Sequence, residues 1–183
     1  MRGGSIDADL RLRDFTVNAI ALELEAQPAS RGGKSHFLVR TIDPTGGQAD
    51  IQRRALRRVA ASSLADDPVR MLRAVRFAVQ LGFAVDDETS TQILRMPASV
   101  QLASAERMRD ELWKTIAGNN PPEAIDLMRT LGMLPFVLPE VAAMDLVGQS
   151  SPHDQDVYRH TLAVTRFAAV LREWLLGKSA PAT

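Results

Sequence analysis

Apolar positions along the chain change their spacing once, near residue 43. Before it, Phe15 to Leu24 and His36 to Ile42 are rich in β-compatible residues, and the polar, glycine-bearing stretch from Gln27 to Ser35 separates them. That pattern predicts a hairpin with a long loop. Asp43-Pro44-Thr45-Gly46-Gly47 predicts the turn that ends the β part. After it the period is helical. Asp67-Pro68 offers an N-cap followed by proline at the first helical position, and Gly82 closes that helix. Glu88 to Met96 predicts a short helix. Ser104 caps another that runs to about Ala117, with Arg107/Glu111 and Asp110/Lys114 as i,i+4 ion pairs. Pro121-Pro122 opens a helix that ends at Gly132, and Asp156 to Leu176 is the last, with Leu162, Phe167, Val170, Leu171 and Trp174 on one side. Leu, Val and Met at helical spacing are expected to be core. Met1 to Ile6 has the look of an arbitrary start. The predicted architecture is α+β and mostly α: a β hairpin, then five or six helices.

Composition narrows the class. A length of 183 residues suits one domain, or two small subdomains sharing a core. The 45% apolar and 24% charged fractions are those of a soluble globular protein. No run of about 18 apolar residues occurs, which excludes a membrane-spanning helix, and no secretory signal is expected. The absence of cysteine excludes disulfides, thiol nucleophiles and Cys-ligated zinc, and fits a reducing cytoplasm.

Zero net charge, taken alone, argues against a nucleic-acid partner. The charge is nevertheless unevenly placed. Residues 1–80 hold 13 Lys/Arg and 9 Asp/Glu, whereas residues 81–183 hold 9 and 13. Seven Arg and no Lys lie between Arg53 and Arg76, opposed only by Asp66 and Asp67. Arginine presents a planar fork of donors suited to phosphates and base edges.

One helix carries most of the information. At about 100° per residue, Arg73 falls about −60° from Arg70, Arg76 about −120° and Asp67 about +60°. Met71, Leu72, Val75, Ala78 and Val79 take the opposite arc. One face is therefore a core stripe, and the other a ladder of one carboxylate and three guanidiniums. The bland account of that ladder is a solvated face with one i,i+3 pair, worth a few tenths of a kcal/mol. The functional account sets Asp67 and Arg70 side by side against the pairing edge of a nucleobase. Cytosine and adenine both show an amino donor beside a ring-nitrogen acceptor, so Asp accepts from the first and Arg donates to the second. Uracil and guanine would turn a carbonyl oxygen toward the carboxylate and lose about 1–3 kcal/mol. Arg73 and Arg76 remain for phosphates.

Three ordered motifs then resemble those of the class II tRNA nucleotidyltransferase (CCA-adding) and bacterial poly(A) polymerase family. They are Arg13-Asp14-Phe15-Thr16-Val17-Asn18-Ala19, Ile42-Asp43-Pro44 with Gly46-Gly47, and Asp66-Asp67-Pro68-Val69-Arg70-Met71-Leu72-Arg73-Ala74-Val75-Arg76-Phe77. Gln80-Leu81-Gly82-Phe83 and Ser104-Ala105-Glu106-Arg107 extend the match over most of residues 7–140. The resemblance implies part of a nucleotidyltransferase palm at 1–61, a helical neck and body that bind nucleobase and RNA at 62–150, and the start of a C-terminal helical, HD-like or tail region at 151–183. It implies addition of CMP and AMP, or AMP alone, to RNA 3′ ends, as in tRNA CCA addition or polyadenylation. ATP, CTP and an RNA 3′ end would be the partners, and two Mg²⁺ ions would serve the full-length enzyme. It makes Asp67 and Arg70 the base-reading pair, Arg73 and Arg76 nucleotide contacts on the same helix, Arg13 a nucleotide contact, and Asp14 a ribose- or metal-side carboxylate.

The chain also departs from the family pattern. Leu12-Arg13 stands where the family has two Arg, and the loop between the strands is longer than usual. The family's Gly-Ser loop and metal-binding Asp-x-Asp lie tens of residues upstream of the Arg-Asp-Phe-Thr motif, whereas Asp14 is preceded here by 13 residues. The expectation is therefore an incomplete palm, no tight Mg²⁺ binding and no catalysis by the isolated chain. A palm with fewer strands would leave an exposed edge and apolar face, which predicts a homodimer or poor solubility. Asp7-Ala8-Asp9 mimics the metal pair but belongs to the acidic lead-in. Gly32-Gly33-Lys34-Ser35 resembles the end of a P-loop without its earlier glycine. His153, Asp154 and Asp156 resemble the first segment of an HD site without the rest. The competing reading is a non-catalytic helical RNA-binding or scaffold module derived from the same family.

Overall fold

The structure is a computed structural model and describes residues 5–27, 36–145, 147–148 and 156–177. Its first element already differs from expectation. Helix α1 (Ile6–Arg11) starts on Ser5, whose hydroxyl accepts from the Ala8 N–H at 3.3 Å, with Asp7 and Asp9 in the first turn. Residues 5 and 6 are thus a capped helix start, stabilised by the usual preference for a serine cap and early acidic residues.

The hairpin forms, with its first strand shifted. β1 (Ala21–Gln27) pairs antiparallel with β2 (His36–Ile42), Ala21 opposite Ile42 and Gln27 opposite His36. Thr16 to Asn18, expected as strand, instead forms one 3₁₀ turn, while Phe15 stays extended (φ −125°, ψ 148°) and makes an isolated antiparallel bridge to Arg58. Side chains capture the backbone here: Asp14 Oδ1 accepts from the Phe15 N–H (2.9 Å) and from Asn18 Nδ2 (3.3 Å), and the Thr16 hydroxyl donates to Asp50 (2.7 Å). Such local bonds compete with a strand ladder. Phe15 turns fully inward against the edge of Phe77, their centroids 6.0 Å apart.

The Asp43–Gly47 cluster does more than turn the chain. Asp43 accepts from the Gly47 and Gln48 N–H groups (2.8 and 2.9 Å) and so starts α2 (Gly47–Arg53), a helix the apolar spacing does not announce. Burial works against the charge on Asp43, but the Gln48 and Gly47 N–H bonds outweigh it and hold the carboxyl below its ordinary range. A Cβ on Gly47 would lie 2.1 Å from the Thr16 carbonyl oxygen, so this contact demands glycine.

Beyond it, β3 (Ala55–Leu56) lies beside α2 and α4 (Val69–Leu81) and pairs in parallel with β4 (Ala84–Val85), and α3 (Ser63–Asp66) packs on α4. The chain continues through α5 (Asp87–Arg95), a 3₁₀ segment (Pro97–Leu102), α6 (Ala105–Ile116), α7 (Pro121–Thr130), α8 (Leu134–Val137), α9 (Pro139–Ala142) and α10 (Val157–Leu175). α4 is central: Met71, Leu72, Ala74, Val75 and Ala78 are buried together with Phe15, Leu56, Ile93, Met128 and Tyr158. It ends at Gly82 with φ +65°, where Phe83 N–H reaches back to the Ala78 carbonyl at 2.9 Å. Ser104 caps α6 as expected, and Asp156 caps α10.

The expectation that helically spaced apolar positions are core fails on α10. Tyr158 is buried and Leu162 packs on the core, but Phe167 is 71% exposed and Val164, Leu171 and Trp174 are exposed as well. The start of α10 lies on α7, and its second half is tied to the end of α6 by Arg172, which donates to the Ala117 and Gly118 carbonyls (2.7 and 2.9 Å) and leaves these apolar side chains exposed. The hairpin likewise exposes Leu22, Leu24 and Val39 on one face and Leu38 on the other. Among the described residues no helix is long and apolar enough to cross a membrane.

Candidate functional site

The site forms where α4 begins. Asp67 is extended (φ −148°, ψ 94°), and the helix takes Pro68 rather than Asp67 as its capping residue. The Asp67 carboxylate, expected to cap α4, instead accepts a fork from Arg107 of α6, Nη1 to Oδ1 at 3.0 Å and Nη2 to Oδ2 at 2.7 Å. Two charge-assisted bonds outcompete one bond to a backbone amide. The carboxylate in turn raises the guanidinium of Arg107 above its ordinary pKa. The i,i+4 pair expected between Arg107 and Glu111 is absent for this reason, and Asp110 meets Arg109 rather than Lys114.

Arg70 is held by main chain. Its Nη2 donates to the Leu12 carbonyl (3.0 Å) and its Nη1 to the Ser63 carbonyl (3.2 Å), while Nε lies 3.8 Å from Asp67 Oδ2. With five N–H donors on the guanidinium, two bonds of this kind orient it and leave donors to spare. One turn on, Arg73 donates to Asp14 Oδ2 (2.6–2.7 Å) and stands 3.6 Å from Glu111 Oε1. It thereby ties the segment after α1 to α4, across 59 residues of sequence, and both to α6. Arg13, next to Asp14, bonds Asp9 at 2.7 Å.

These groups line a cleft of about 510 Å³ that contains Arg13, Asp14, Asp67, Arg70 and Arg73 together with Leu12, Asn18 and Arg107. Five of the six residues singled out as nucleotide or carboxylate contacts are thus brought together. Arg76 is not among them. Its Nε donates to Glu111 Oε2 at 2.7 Å, its guanidinium lies 4.1 Å from the Phe77 ring centre, and it faces a separate groove with Gln80 and Lys114. Burial opposes the charge on Glu111, but the bonds from Arg76 and Lys114 outweigh it and hold its carboxyl below the ordinary range. Arg107 and Asn18 were missed by sequence reasoning. Ser104-Ala105-Glu106-Arg107 was visible as a motif, but helical spacing directed Arg107 to Glu111 on its own helix.

The described residues do not fit a catalytic metal. No group of three or more His, Asp or Glu converges among them, and Asp14 already accepts from Arg73, Phe15 and Asn18. Asp9 of the Asp7-Ala8-Asp9 run is engaged by Arg13. Asp156 is occupied as the α10 cap, accepting from the Arg159 N–H at 2.7 Å, and His153 and Asp154 lie outside the described residues, as does Gly32-Gly33-Lys34-Ser35.

Residues 82–145 match a family model described as "Probable RNA and SrmB- binding site of polymerase A". The chain is 35% identical over 161 residues to the A-adding tRNA nucleotidyltransferase of Deinococcus radiodurans, covering 85% of this chain and 34% of that protein. It is 38% identical over 174 residues to the multifunctional CCA protein of Halorhodospira halophila, covering 91% and 39% respectively. In fold it resembles the Bacillus stearothermophilus CCA-adding enzyme solved with CTP, with a TM-score of 0.59, 34% identity, and coverage of 72% of this chain and 30% of that one. The chain thus spans between a third and two-fifths of the length of these curated relatives.

Proposed function

The chain belongs to the family of CCA-adding and A-adding tRNA nucleotidyltransferases, and from that premise we propose that its cleft reads the incoming nucleobase during template-independent addition to an RNA 3′ end. The observation that carries the reading is the pairing of Asp67 and Arg70 in one cleft, an acceptor and a donor 3.8 Å apart. Asp67 accepts from the amino group of cytosine or adenine, and Arg70 donates to the adjacent ring nitrogen. Arg13 and Arg73 on the cleft wall supply positive charge for the phosphates, with Asp14 holding Arg73 in place.

CTP and ATP are then the nucleotides, and tRNA or another RNA 3′ end is the acceptor, for CCA addition or polyadenylation. Residues 62–150 act as the nucleobase- and RNA-binding body behind the palm portion at 1–61, with a further helical region from 151. Cytoplasmic placement, from the cysteine-free composition, and self-association through the open hairpin face belong to the same reading. The match of residues 82–145 to an RNA-binding family model favours the second reading, a non-catalytic helical RNA-binding or scaffold module that holds RNA without reading a base.

Titration of the purified chain with CTP, ATP, UTP and GTP separates the two. Base reading predicts that CTP and ATP bind about 5- to 150-fold tighter than UTP and GTP, the equivalent of about 1–3 kcal/mol. Arg70→Ala removes most of that advantage. Equal binding of all four nucleotides by the unsubstituted chain refutes base reading and leaves the RNA-binding module.

A further inference from the structure

The pair that reads the base has a third member. A short acidic side chain directly before a helix ordinarily turns back to cap it, and Asp67 stands in that position before Pro68. Its carboxylate turns away from α4 into the cleft. What holds it there is Arg107, which reaches across from α6 and bonds both oxygens at 2.7 and 3.0 Å.

This fork fixes the plane of the carboxylate, because rotation about its own axis would break one bond or the other. Each oxygen gives one lone pair to Arg107 and keeps another, so the carboxylate stays able to accept from a ligand. Arg70 is oriented independently, by the Leu12 and Ser63 carbonyls. Each half of the reading pair therefore has its own fastening. Asp67 is fastened by a side chain that is itself 55% exposed and carried on a different helix.

We propose that Arg107 is a positioning residue for nucleobase discrimination: its guanidinium fork holds the Asp67 carboxylate in the cleft, oriented to accept from an exocyclic amino group. The inference rests on the base-reading function proposed above. Positive charge alone does not suffice for it, because a lysine ammonium is a point donor that cannot hold both oxygens in one plane.

The test measures binding of CTP, UTP and inorganic tripolyphosphate to the full chain by calorimetry, for the unsubstituted protein, Asp67→Asn, Arg107→Ala and Arg107→Lys. Circular dichroism verifies that each variant is folded. The expected result is a CTP preference over UTP of at least about tenfold in the unsubstituted chain. That preference falls to within about twofold in Asp67→Asn and in both Arg107 variants. Tripolyphosphate binding falls in Arg107→Ala and is retained in Arg107→Lys.

Other outcomes overturn the inference, and they are distinguishable. A preference lost in Asp67→Asn but kept in both Arg107 variants leaves the reading pair standing and removes Arg107 from it. Full recovery in Arg107→Lys shows that charge, not the fork, is what matters. Equal weakening of CTP, UTP and tripolyphosphate, with the preference intact, makes Arg107 a phosphate contact. No preference in the unsubstituted chain defeats base reading itself, and the role of Arg107 with it.

Discussion

Arg70 and Arg76 lie on the polar side of one helix, six residues apart, and serve different purposes. Arg70 borders an open cleft and is tied to two main-chain carbonyls, so its remaining donors face a space where a ligand fits. Arg76 is spent inside the protein, on a carboxylate whose side chain is only 6% exposed, with the Phe77 ring beneath it. The difference does not come from α4, whose face is continuous. It comes from what lies opposite: main-chain oxygens and open space at one end, and Glu111 of α6 at the other. A ladder of like side chains on a helix fixes direction, and the facing element decides between binding and bracing.

The sharpest way to break this comparison is at Glu111. Glu111→Gln leaves Arg76, 14% exposed, without its counter-charge. Losing one partner of a buried pair costs about 3 kcal/mol, read as a lower urea midpoint, while the CTP:UTP binding ratio stays as it was. A variant as stable as the parent would mean that Arg76 is not a brace. A smaller effect follows from pH. Glu111 ionises below its ordinary 4.5 in the folded chain, so the stability it contributes is present above that value and is lost as the pH falls through the folded-state value. Asp43, depressed from 3.8, adds in the same direction at the start of α2. Urea midpoints measured from pH 6 down to pH 3 should fall, and the fall should be shallower in Glu111→Gln. The smallest effect belongs to Lys114→Ala. Its ammonium meets Glu111 at 3.0 Å but is 59% exposed, so the loss stays below about 0.5 kcal/mol. A larger loss would shift the bracing from Arg76 to Lys114.

Much of this was legible from residue order. The core stripe of α4, the cap Ser104, the stop at Gly82 and the convergence of Asp67, Arg70 and Arg73 all follow from local spacing, which the chain obeys. What escaped has a common physical cause. The diversion of Asp67 to Arg107, the pairing of Arg76 with Glu111 and the tight turn at Thr16–Asn18 depend on partners 34 to 40 residues away or on side chains bonding nearby backbone. Periodicity carries no information about either. α2 escaped because a side chain, Asp43, starts it rather than an apolar stripe. The outward second half of α10 escaped because a hydrophobic face read from spacing says nothing of whether a neighbour covers it.

Arg73 has a consequence for how the cleft can move. Its guanidinium joins Asp14 on one wall to Glu111 behind the other, and both carboxylate side chains are only 6% exposed. The two walls are thus strutted at a set separation, and prising them apart would strand charge in a dry setting. On the base-reading proposal, bases of unequal size are therefore accommodated along the open side of the cleft and not by widening its jaws.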